Sequence, residues 1–135
     1  MPWTGGEMVT VTRAPRIVPK RRRIDGRDPG LVFWIDTAGH GYYRVLLATE
    51  PGLFDPGAAA NRTPATFFDS TEISGGSLFT ASNGESQYAV PREVMRRMRP
   101  ARTIHYALIA YDGPTATNGV MSMPVAAVQL LTTKR

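Results

Sequence analysis

The sequence predicts an all-β chain: an antiparallel sandwich of two sheets and about seven strands, preceded by an N-terminal arm. Three observations carry this. The stretch 104–111 alternates, with Ile104, Tyr106, Leu108 and Ala110 on one side of an extended chain and His105, Ala107, Ile109 and Tyr111 on the other. Apolar segments of about 5 to 10 residues recur between clusters of Gly, Pro, Asn and Asp. Asn83-Gly84, between the apolar runs 78–81 and 87–90, is the strongest hairpin signal in the chain.

A chain of 135 residues has the length of one domain and can bury a core without covalent staples. We divide it into an extended arm, residues 1–14, and a sandwich domain, residues 15–135. The arm combines flexible Gly5-Gly6 with a short β-prone segment, Met8-Val9-Thr10-Val11-Thr12. Such an arm can add a strand to its own sheet or to a neighbour's.

The strands come in order. Arg16-Ile17-Val18 and Lys20 to Ile24 read as a first strand, irregular and at a sheet edge because Pro15 and Pro19 bracket it. After the turn cluster 25–30 comes Leu31-Val32-Phe33-Trp34-Ile35, apolar on both faces, with Trp34 expected in the core. Residues 42–50 form the third strand. Tyr43, Val45 and Leu47 make one face; Tyr42, Leu46 and Ala48 lie on the other, with Arg44 among them.

Pro51-Gly52 ends that strand, and residues 53–64 read as a long loop. In it Asn61-Arg62-Thr63 fits a glycosylation acceptor pattern. Thr66-Phe67-Phe68 is a short strand, and Ser74-Gly75-Gly76 a flexible break. The hairpin then leads to Pro91, which starts a helical turn or two to Met98; Val94, Met95 and Met98 share its inner face and the arginines its outer one. After the strand centred on Tyr106, Asn118-Gly119 marks a loop, and residues 121–131 form the last strand, with Pro124 placing part of it at an edge.

Met98, Pro100 and Ile104, continued by Tyr106, Leu108 and Ala110, resemble the entry of fibronectin type III domains into their sixth strand. Trp34 sits where that family places a strand B tryptophan, and Tyr43-Arg44-Val45 is similar to its strand C. The resemblance implies a fibronectin type III-like sandwich in which the strands of Tyr43 and Tyr106 are neighbours in one sheet. The tyrosine-corner position holds Ile104, so that corner's hydroxyl hydrogen bond is not available there.

Composition narrows the function. Without cysteine there is neither a disulfide framework nor a thiolate site. Two histidines and no clustered carboxylates speak against a transition-metal centre, and we expect no cofactor. No apolar run approaches the roughly 20 residues of a membrane span, and the first residues lack a signal-peptide core. We therefore expect no membrane insertion, and a place in the cytoplasm or in an assembled particle. Asp36-Thr37-Ala38 nearly matches the Asp-Thr-Gly of dimeric aspartic proteases, in which two carboxylates share a proton. The third residue is alanine and no second part of the pattern is present, so we expect Asp36 to be the polar end of its strand and the protein not to be an enzyme. His40, between glycines, reads as an exposed turn residue.

Two kinds of surface remain. If the third and sixth strands are neighbours, Tyr42, Leu46, Ala48, Ala107, Ile109 and Tyr111 form one outward apolar patch, and such patches usually mark an interface. This favours a non-catalytic interaction or assembly subunit, using that face and the arm to bind a protein partner or itself. The cover could also come from the arm or from the loop 53–64. The net charge of +5 is concentrated in two clusters, Lys20-Arg21-Arg22-Arg23 and Arg92, Arg96, Arg97, Arg99 and Arg102. They suit an anionic or carbohydrate polymer, with Trp3, Tyr42 and Tyr111 as aromatic contacts. Nucleic acid is less well supported, because no aromatic residue interleaves with the basic run to stack on bases.

Overall fold

The alternation at residues 104–111 becomes the longest strand of the molecule. A computed structural model describes residues 14–24, 30–82, 84–98, 101–115, 119–121 and 126–132. Its strands are β1 (Arg16–Arg21), β2 (Arg23–Ile24), β3 (Val32–Asp36), β4 (Tyr42–Ala48), β5 (Phe67–Asp69), β6 (Phe79–Thr80), β7 (Glu85–Ala89), β8 (Thr103–Tyr111), β9 (Val120–Met121), β10 (Ala126–Gln129) and β11 (Leu131–Thr132). A short α-helix, α1 (Arg92–Arg97), lies between β7 and β8.

The strands form two antiparallel sheets facing each other. The first has the order β1-β3-β7; the second runs β10-β8-β4-β5, with β6 also on β4 and β9 on β8. A short parallel pair joins β2 to β11. The spine is the β4–β8 ladder, from Tyr42 opposite Tyr111 to Ala48 opposite His105. Period-two alternation then fills the core: Leu31, Phe33 and Ile35 from β3 and the residue before it meet Tyr43, Val45 and Leu47 from β4 and Ile104, Tyr106 and Leu108 from β8. Phe33 and Tyr106 touch across the core with ring centroids 4.9 Å apart. α1 closes one end of the sandwich, with Pro91 ahead of its first turn and Val94, Met95 and Met98 buried beneath it as expected.

Several expectations are corrected. Trp34 is not a core residue. Phe33 and Ile35 point inward and are fully buried, while Trp34 is half-buried on the outer face, with the Arg16 guanidinium 5.3 Å from its ring centroid. A strand apolar at both parities carries no signal for its inner side; packing against β4 and β8 decides it. The Asn83-Gly84 signal makes a hairpin of one residue pair only, an antiparallel bridge between Ser82 and Glu85. Glu85 N–H donates to Ser82 O at 3.0 Å and Gly84 takes φ +78°, so the chain turns there. Its two flanks then part, β6 to β4 in the second sheet and β7 to β3 in the first. Turn chemistry is local, whereas β7 finds a five-residue partner in β3. The expected long loop is ordered as two 3-10 helices, Pro51–Phe54 and Pro56–Asn61, with Asn61 exposed at the end of the second.

β1 lies at a sheet edge with a register break between Pro19 and Arg21, as its prolines require. The expected last strand is β9, β10 and the start of β11, with β9 and β10 paired to β8. Trp3 and the arm up to residue 13, most of the turn cluster 25–30, Asn83, Arg99, Asn118 and Pro124 lie outside the described residues.

Candidate functional site

The outer face of the second sheet carries the residues expected to form an interface. Register brings Tyr42 beside Tyr111 and Leu46 beside Ala107, and Ile109 lies opposite Arg44. The parity is as expected, but the patch is not free. Leu46, Ala48, Ala107 and Tyr111 are only 5%, 0%, 0% and 3% exposed. Leu53 and Phe54 of the first 3-10 helix, together with Phe67 and Ile109, pack on Leu46 and Ala48. Arg62 holds this cover down: its guanidinium stacks 4.2 Å over Phe67 and its Nε donates to Leu53 O at 2.8 Å. At the other end Gly119 presses against the sheet. A Cβ there would stand 2.4 Å from Ile109 Cγ2 and 2.5 Å from Tyr111 Cε1, which only glycine avoids. Within the patch Arg44 Nη1 donates to Asp69 Oδ2 at 2.9 Å and lies over Tyr111. The six expected interface residues are therefore largely an internal layer, and only Tyr42 and Ile109 keep partial exposure. The reason is connectivity: the segment that leaves β4 folds back across the sheet it came from.

The two basic clusters meet at the α1 end. β1 finishes with Arg21 opposite Val32, and β7 finishes with Ala89 opposite the same residue. Val90 N–H donates to Leu31 O, and α1 starts directly afterwards. β8 begins beside the end of β10, where Leu130 N–H donates to Arg102 O at 2.8 Å, and Leu131 pairs with Arg23. Lys20, Arg21, Arg22, Arg92, Arg96 and Arg102 are all exposed around this end. Glu93 is the acid on the helix itself.

Arg97 does not belong to that surface. Its Nε donates to Pro64 O at 2.6 Å, and its Nη2 donates to Glu72 Oε1 at 3.1 Å. The guanidinium also lies over Phe68. It pins the covering segment and β5 to the helix, so it leaves the anion-binding set for a structural role. Helix spacing signalled it weakly: Arg97 falls one turn after Val94, nearer the buried stripe than Arg92 or Arg96. The side chain of Arg23 lies outside what is described.

The opposite end holds the protease-like triplet, used as a turn. Asp36 Oδ1 accepts from Ala38 N–H at 2.8 Å, and Ala38 takes φ +56°, left-handed for an alanine. Thr37 N–H donates to Gly84 O at 2.7 Å, and the Thr37 hydroxyl donates to the His40 carbonyl. His40 is half-buried rather than exposed, because its Nδ1 meets Asp112 Oδ1 at 2.5 Å and ties this loop to the end of β8. Among the described residues no group of three or more His, Asp or Glu could hold a metal ion.

Four tyrosines titrate above their ordinary range. Burial raises Tyr43, Tyr88, Tyr106 and Tyr111; Ser86 partly offsets this at Tyr43, and the Arg44 charge at Tyr111. All four hydroxyls stay protonated near neutrality. The Tyr88 hydroxyl is buried with no hydrogen-bond partner. An open cleft of about 280 Å³ is lined by Arg62, Thr63, Pro64, Phe67 and Glu72. Its charged members are already engaged, Arg62 on the covering segment and Glu72 on Arg97.

No protein-family model matches this chain, and neither does any curated protein or any solved structure. Among the described residues no helix is long and apolar enough to cross a membrane.

Proposed function

We propose that this chain is a non-catalytic binding module that meets an anionic polymer through the basic end of the sandwich. One observation carries the reading: two arginine clusters far apart in sequence converge around α1, with Lys20, Arg22, Arg96 and Arg102 exposed. A guanidinium presents a planar fork that suits phosphate, sulfate or carboxylate oxygens in pairs, and three of these four are arginines. Clustered charge of one sign also raises the association rate with an oppositely charged chain. The non-catalytic part rests on how the polar side chains of the protease-like loop are used: Asp36, Thr37 and His40 are all engaged in turn and loop contacts, His40 with Asp112. The adjacency of β4 and β8 in one sheet supports a fibronectin type III-like arrangement.

The test is elution from a heparin resin in a salt gradient. The triple variant Arg22→Gln, Arg96→Gln, Arg102→Gln should elute at clearly lower salt with an unchanged melting temperature, because these side chains are exposed. Elution at the same salt as the parent would remove the basic end as a binding surface. A second reading, an assembly subunit, is supported by the outer face of the first sheet.

A further inference from the structure

We infer that the outer face of β1, β3 and β7 is the contact face of a homodimer whose two-fold axis runs along the strands. The register arranges that face in rows. Arg16, Asp36 and Glu85 form the first; Val18, Trp34 and Gln87 the second; Arg21, Val32 and Ala89 the third. Val18 is 39% exposed, Ala89 is exposed, and Val32 and Trp34 are half-buried. Val18, Val32, Trp34 and Ala89 therefore make a small apolar cluster bordered by exposed Arg16, Arg21, Gln87 and Glu85, with the Arg16 guanidinium 5.3 Å from the Trp34 ring centroid. Among the described residues, this sheet lacks the covering layer that the 3-10 helices lay on the second one. Its β1 side is basic, with exposed Arg16, Lys20 and Arg21, and its β7 side carries exposed Glu85.

That asymmetry selects the partner and the axis. A two-fold along β3 lays β1 of one copy over β7 of the other. Arg16 then faces Glu85 of the second copy twice per dimer, while Trp34 and Val32 meet their own counterparts. A two-fold across the strands would lay β1 over β1 and bring Arg16 against Lys20 and Arg21 of the second copy. Like charges in direct apposition disfavour that arrangement. Asp36, in the middle of the first row, is buried, and its Oδ1 is held by Ala38 N–H. Face-to-face sheets pack about 10 Å apart with their strands rotated by about 30°, a gap that two Trp34 rings fill and an offset that Arg16 can reach across. The same axis puts both basic ends on one side, so that a long anionic chain would span the pair. That last consequence rests on the proposed function; the dimer does not.

The experiment is sedimentation equilibrium on the full chain, without polyanion, over a concentration series. The expected result is a reversible monomer–dimer equilibrium. Arg16→Glu alone and Glu85→Arg alone should each raise the dimer Kd by about tenfold, since each replaces two attractions by two repulsions. The double variant should return to within about threefold of the parent. Both positions are exposed, and circular dichroism checks that each variant is folded. A chain that stays monomeric to about 1 mM overturns the inference. So does a dimer that the two reversals weaken and the double variant does not restore, since the axis is then wrong. Self-association that appears only after residues 1–13 are deleted also overturns it, because the arm is then the occupant of the face.

Discussion

The outer face of the second sheet holds Leu46, Ala48, Ala107 and Tyr111 beneath a layer of two 3-10 helices, and all four are buried. The outer face of the first sheet holds Val18, Val32, Trp34 and Ala89, and none of these four is buried. The second sheet is largely apolar at the outward parity, where a sheet with one wet face should be polar, whereas the first mixes its four apolar residues with exposed Arg16, Arg21, Glu85 and Gln87. What separates them is the connection leaving each sheet. The segment after β4 is long enough to return across β4 and β8, and Arg62 and Arg97 fasten it there. On the first sheet, β7 leads straight into α1, which closes the end of the sandwich and leaves the outer face alone. An outward apolar face is thus a demand for a third layer. Whether the chain or a partner supplies that layer depends on the length and direction of the connection leaving the strand.

The sharpest test sets two neighbours on β3 against each other. Phe33→Ala should cost about 3–5 kcal/mol in urea unfolding, as expected for a fully buried aromatic. Trp34→Ala, measured at a concentration where the chain is monomeric, should cost less, because its side chain lies on the outer face and is only partly buried. A larger loss for Trp34→Ala would mean that β3 has the opposite parity, and equal losses would mean that the two outer faces do not differ as described.

Leu46→Ala comes next. Leu46 lies under Leu53 and Phe54, so its truncation should cost about 2–4 kcal/mol while leaving the molecular mass in solution unchanged. A change of mass with little loss of stability would make this face an interface after all.

On α1, Arg97→Ala should lose about 1–2 kcal/mol, having left two carbonyls and Glu72 without their donor. Arg96→Ala, one residue away and exposed, should stay within about 0.5 kcal/mol. Thermal melting of the pair separates an arginine that fastens the third layer from one available to a ligand.

The smallest effect concerns Tyr88, on the inner side of the first sheet. Removing its unpartnered hydroxyl in Tyr88→Phe should raise stability by about 1 kcal/mol at neutral pH. Its raised pKa, caused by burial first and then by the charges of Tyr43, Asp69 and Glu72, sets the pH dependence. The folded state holds this proton more tightly than the unfolded chain. The associated stability is complete below the ordinary tyrosine value near 10 and is lost as the pH rises above it. Tyr88→Phe should therefore flatten the alkaline limb of a stability–pH curve measured by denaturant unfolding; an unchanged limb would assign that limb to the other buried tyrosines.

The residues alone determined what depends on neighbours in the chain. Alternation along 104–111 and 43–47 is a period-two property of an extended backbone, and it predicts both inner faces correctly. Pro91 and the spacing of Val94, Met95 and Met98 determine α1 and its buried side. Pro15 and Pro19 keep β1 at an edge. Tertiary structure decided everything that needs a partner from elsewhere. Trp34 turned outward because Phe33 and Ile35 fill the core against the inner face of β4 and β8. The flanks of the Asn83-Gly84 turn went to two different sheets because β3 was the better partner for β7. Arg97 became a fastener and Arg96 did not, because only one of them points at Pro64 and Glu72. The two basic clusters converge at one end through the register of β1, β7 and β11, a non-local pairing that no stretch of sequence encodes by itself.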